Sequence, residues 1–136
     1  MITSGEFVVH IDYDLSPNVM ISADKKILIN KTLPDQGNIT VTIPNQTNLV
    51  RMFIQGKLND TIVEDGVIVR DQMIKIVGAE HQGIDFDEQH FLNLIKPRLH
   101  HQGTVMPSVY LGYNFPSYLE FKPRALADAL IDSTVS

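Results

Sequence analysis

The chain of 136 residues carries 16 acidic and 11 basic side chains, a formal net charge of −5, and no cysteine. Its length fits one domain of common size, and 43% hydrophobic residues separate it from disordered chains. Disulfides, thiolate zinc sites, iron–sulfur clusters and cysteine nucleophiles are excluded. Lys25-Lys26 is the one adjacent basic pair, so the clustered cations that neutralise nucleic-acid phosphates are missing. The N-terminus, MITSGEFVVHIDYD, has no basic leader ahead of an apolar run, so no signal peptide is expected. No apolar run reaches the ~20 residues of a membrane helix. The expectation is a soluble, mildly acidic domain over residues 1–136, with neither nucleic acid nor membrane as partner.

In chain order, Glu6–Ile11 reads as a first strand and Asp12–Asn18 as a polar turn region. Val19–Ser22 and Lys26–Asn30 form a hairpin around Ala23-Asp24-Lys25. Lys31–Gly37 is a loop punctuated by Pro34, Asp35 and Gly37. Asn38–Ile43 has the cleanest period of two, with Ile39, Val41 and Ile43 on one side and Asn38, Thr40 and Thr42 on the other. That pattern predicts a half-buried antiparallel strand. Leu49–Gln55 is a further strand, expected to be covered on both faces.

Asn59–Thr61 and Glu64–Gly66 read as turns, Asp65-Gly66 supplying the left-handed backbone of a tight reversal. They feed the longest apolar-rich run, Val67–Val77, rich in β-branched residues. We expect one long strand there, around which the other segments pair. Gly78–Gln89 is polar and turn-rich. Phe91–Ile95 is a short strand or one helical turn ended by Pro97, and Arg98–Pro107 an irregular loop. Val109–Tyr113 and Tyr118–Lys122 are short strands. Pro123 opens a terminal helix over Pro123–Ile131. About eight or nine strands with no helix between them predict an all-β fold, an antiparallel β-sandwich with a short C-terminal helix.

Asn59-Asp60-Thr61, Gly66, Ile68, Asp71, Ile74 and Ile76, taken in this order, resemble a pattern in small bacteriophage proteins and domains. Those domains are themselves similar to calcium-dependent carbohydrate-binding modules of the xylan-binding type. The stretch Gly112–Phe121, followed by Pro123, resembles their closing aromatic strands; the likeness spans roughly Asn38 to Pro123. It implies a jelly-roll-like sandwich, calcium held by loop carboxylates and backbone carbonyls, and aromatic residues against a glycan. The chain departs from the pattern in having no Trp, which leaves Tyr113, Phe115 and Tyr118 as the stacking candidates.

Several constellations carry possible chemistry. In VVHIDYD, His10, Asp12 and Asp14 share one side of an extended strand, a set suited to a divalent metal or simply to a solvated face. Asp85 and Asp87 repeat the Asp-aromatic-Asp motif, and two such pairs meeting in space would form an oxygen cage for Ca²⁺. Asp60, Glu64, Asp65 and Asp71 crowd the central turn, where the resemblance places calcium and where side-chain-to-backbone bonds are the ordinary role. His81, His90, His100 and His101 are scattered, and adjacent residues on a strand point apart. No GxSxG-like elbow is present. Four Asn-x-Thr matches follow from Asn at turns and Thr in strands. Tyr110, Tyr113, Phe115 and Tyr118 gather near the end, as core filling or as contacts for a partner or glycan.

The functional expectation is a non-enzymatic binding and assembly module. Given the resemblance, it is a phage virion-associated structural or accessory protein, a capsid decoration or tail-associated subunit. Such a protein is made in the host cytoplasm and resides in the virion. Its partners are copies of itself or other virion proteins, with a surface glycan as a further possibility and no cofactor required. A carbohydrate-binding module using Ca²⁺ is the alternative. A metal-dependent hydrolase built on His10, Asp12 and Asp14 stands third.

Overall fold

Strand alternation builds this fold, and the clearest case is β4 (Gln36–Ile43), whose Val41 and Ile43 are buried while Asn38, Thr40 and Thr42 are exposed. The computed structural model describes residues 7–44, 46–55, 62–81, 83–112 and 117–123. Before β4 come β1 (Phe7–Asp14), β2 (Asn18–Ala23) and β3 (Lys26–Thr32). After it come β5 (Val50–Ile54), β6 (Ile62–Glu64), β7 (Val67–Arg70), β8 (Met73–His81) and β9 (Ile84–Asp87). The helix α1 (Glu88–Leu94) precedes β10 (Arg98–His101), β11 (Thr104–Pro107), β12 (Tyr110–Gly112) and β13 (Ser117–Phe121).

Two antiparallel sheets share one core. The first has the order β12-β8-β1-β4, with β9 also on β8; the second has the order β11-β10-β13-β5-β2-β3. The chain passes repeatedly from one to the other. Val9, Ile11, Ile76 and Leu111 from the first sheet and Ile21, Met52 and Leu119 from the second form a single buried cluster. At roughly 25 cal/mol per Å² of apolar surface removed from water, such side chains are the main source of stability. This is the all-β, sandwich-like arrangement that the alternation predicts, with thirteen short strands among the described residues in place of eight or nine.

The principal departure concerns Val67–Val77. It is not one strand but two, separated at Asp71-Gln72. Among the described residues β7 pairs only with β6, in a separate two-stranded ribbon, whereas β8 lies inside the first sheet between β1 and β9/β12. The break has a local cause: the Asp71 carboxylate accepts the Gln72 backbone N–H at 2.9 Å, an alternative to the ladder.

Smaller differences follow the same logic. Gly78–Gln89 contains the end of β8, all of β9 and the start of α1, and Arg98–Pro107 is the β10–β11 hairpin, turned by Gln102 (φ 48°) and Gly103 (φ 81°). β5 buries one face only, with Val50, Met52 and Ile54 in and Arg51 out. Of the helix expected over Pro123–Ile131, only Pro123 lies within the described residues, and the Asn59–Thr61 turn lies outside them.

A one-residue irregularity in β8 decides which side chains enter the core. Ile11 pairs with Ile76 but His10 pairs with Gly78, which leaves Val77 as an extra residue. Such a bulge shifts the in/out phase of everything beyond it. Ile74 and Ile76 point inward before it, and Ala79 and His81 after it. At Gly78 itself, an added Cβ would stand 2.9 Å from the Phe86 carbonyl oxygen, so the close pairing of β9 depends on glycine there.

Candidate functional site

The β6–β7 hairpin holds five of the eleven large hydrophobic residues exposed among the described residues. Asp65 (φ 50°) and Gly66 (φ 77°) make its two-residue turn, the left-handed pair that matches strand twist. Ile62, Val63, Val67, Ile68 and Val69 are all exposed, Val67 and Ile68 to 62% each. An isolated two-stranded ribbon is marginally stable in water, and among the described residues no third strand pairs with its outer edges.

The hairpin is tied down at its base. The Arg70 guanidinium donates from Nε to Asp14 Oδ1 at 3.0 Å and from its terminal nitrogen to the same oxygen at 2.5 Å. That terminal nitrogen also donates to Asp35 Oδ2 at 3.0 Å. Hydrogen bonds to Asp14 first and Asp35 second push the guanidinium's pKa further above its already high ordinary value. Asp14 is buried and also accepts the Leu15 backbone N–H at 2.9 Å. Leu15 and Ser16 both hold left-handed backbone, at φ 56° and 49°, a costly conformation for such residues. The β1–β2 turn is thus shaped around the carboxylate that grips Arg70.

The other acidic candidates fall in separate places. Asp12 is exposed on the outer side of β1, opposite Lys75. His10, on that same side, contacts Thr40 Oγ1 at 3.3 Å. Asp85 is exposed on β9 opposite Glu80. Asp87 is the N-cap of α1, accepting the His90 backbone N–H at 2.8 Å and contacting its Nδ1 at 2.8 Å. The hydrogen bond from the His90 N–H, ahead of the ring contact, lowers its pKa. Asp65 is at the hairpin tip, and Asp60 lies outside the described residues. Among the described residues, no three His, Asp or Glu side chains converge on a point that could hold a metal ion, and no helix is long and apolar enough to cross a membrane.

Of the aromatic candidates, Tyr113 and Phe115 lie outside the described residues. Tyr118 sits on the outer face of the second sheet between His100 and Phe53. Its ring stacks on His100 at 4.5 Å and 8° and meets Phe53 at 5.4 Å. These neighbours come from β10 and β5, on opposite sides of β13, so Tyr118 spends both ring faces inside the protein. Glu120 joins the cluster, contacting His100 Nε2 at 2.6 Å and accepting from Arg51 Nε at 3.3 Å. Tyr110 is 40% exposed, and burial of its hydroxyl, with Asp71 nearby, raises its pKa.

The sequence reading did not single out the apolar hairpin as a surface, although Asp65-Gly66 signals it. Nor did it single out the β10–β11 hairpin, whose Gln102-Gly103 pair is a weaker turn signal. Comparison of the chain with family models, curated proteins and solved structures finds no match.

Proposed function

We propose that this chain is a non-enzymatic assembly module that docks onto a neighbouring subunit through the β6–β7 hairpin. With the resemblance of its turn-and-strand pattern to phage proteins, the reading extends to a virion-associated structural or accessory role, as capsid decoration or on the tail. One observation carries it: five exposed branched aliphatic side chains on a ribbon whose outer edges pair with no strand among the described residues, locked at its base by Arg70 to two carboxylates. Apolar patches that a fold leaves outside its own core mark interaction surfaces, and a free strand edge adds backbone hydrogen bonds to the contact.

Sedimentation velocity on the intact protein tests this. The wild type should self-associate as concentration rises, and Val67→Lys with Ile68→Lys should be monomeric with the same circular dichroism spectrum. A wild type that is monomeric throughout and absent from purified particles would overturn the proposal.

A further inference from the structure

The second surface that invites an occupant is a cleft between α1 and the β10–β11 hairpin. It has a volume of about 390 Å³ and is lined by Leu92, Asn93, Lys96, Arg98, Val105, Met106 and Pro107, within the range of small-molecule sites. Its walls are apolar apart from Asn93, and its charged residues are both cations. Val105 and Met106 remain 46% and 43% exposed on the edge strand β11.

Both cations lack an acidic partner among the described residues. Glu120, which faces Arg98 across the β10–β13 ladder, is already engaged by His100 and Arg51. Glu88, at the start of α1, is paired with Lys75 at 3.2 Å. In a chain of net charge −5, two such cations beside an apolar wall select for an anion with an apolar body.

Lys96 adds an independent observation. It follows the Ile95 C-cap of α1 with φ at 55°, the position where glycine is the usual residue because a side chain disfavours left-handed backbone. The lysine side chain stands there in spite of that cost, on the rim of the cleft.

We propose that this cleft binds a small amphiphilic carboxylate, with an alkyl chain against Leu92, Val105, Met106 and Pro107 and the carboxylate between Lys96 and Arg98. Desolvated alkyl surface supplies affinity, and charge-assisted hydrogen bonds to the two cations supply orientation. The site is separate from the β6–β7 hairpin, so it stands or falls apart from the assembly role.

Isothermal titration of the intact protein with decanoate is the test, with decanol as the uncharged control. Decanoate should bind saturably and more tightly than decanol. Lys96→Gly, which suits the left-handed backbone, should weaken decanoate about tenfold, as should Arg98→Gln. Both variants are checked by circular dichroism; if Arg98→Gln is misfolded, Lys96→Gly alone decides. Absence of saturable decanoate binding, equal binding of decanol, or indifference to the substitution overturns the proposal. So does capture of an acidic apolar peptide where decanoate fails.

Discussion

Two residues carry sharp consequences. His81 is 8% exposed, and among the described residues neither ring nitrogen has a hydrogen-bond partner; its ring lies 5.8 Å from Phe7. A buried polar group in that state costs about 1–3 kcal/mol. His81→Leu, of similar bulk, should therefore raise stability by about 1–2 kcal/mol, and a lower urea midpoint would contradict it. Asp87 tests the helix cap through pH. Its folded-state pKa lies below the usual 3.8, so its contribution is present above that value and lost as pH falls through the lowered one. Asp87→Asn keeps a capping oxygen but no longer titrates. It should show a shallower acid loss of stability than the wild type, whereas Asp87→Ala should be weaker at neutral pH as well.

At the scale of elements, the β6–β7 hairpin depends on its base more than on its own ladder. Three residue pairs join the strands, too few to hold a ribbon in water. The Arg70 bonds to Asp14 and Asp35 supply the missing constraint. Arg70→Gln should then speed hydrogen exchange across residues 62–70 while leaving β8 protected, since β8 is held by β1, β9 and β12. Equal acceleration in both strands would mean that they form one cooperative unit. The stacked His100–Tyr118 pair makes a related point on the second sheet: cross-strand rings that face each other stabilise the ladder and leave only edges for a glycan.

For the whole molecule, the proposed assembly would make stability depend on concentration. A contact made only by the folded chain raises the thermal midpoint as protein concentration rises. The wild type should show that rise and the Val67→Lys/Ile68→Lys variant should not. An identical, concentration-independent midpoint in both would remove the hairpin from the interface.

The fold class and most of the strands are legible in local pattern alone. Asn38–Ile43 alternates strictly, and Asp65-Gly66 encodes its turn locally, because a period of two and a left-handed dipeptide need no distant partner to be read. The expected lack of a helix between strands likewise pointed to antiparallel pairing; the pairing is antiparallel, although α1 stands between β9 and β10. The apolar run Val67–Val77 hides its own division: the Asp71 side-chain bond to the Gln72 N–H breaks it locally, and where β7 then goes is set by Arg70 reaching Asp14, 56 residues away in sequence. The burial of His81 was equally hidden, since the Val77 bulge that turns it inward exists only once β1 is paired. The cleft at Lys96 and Arg98 required α1 and β11 to be placed side by side. Local periodicity reports which face a strand buries; which strand it lies beside, and what it leaves uncovered, is settled by contacts far apart along the chain.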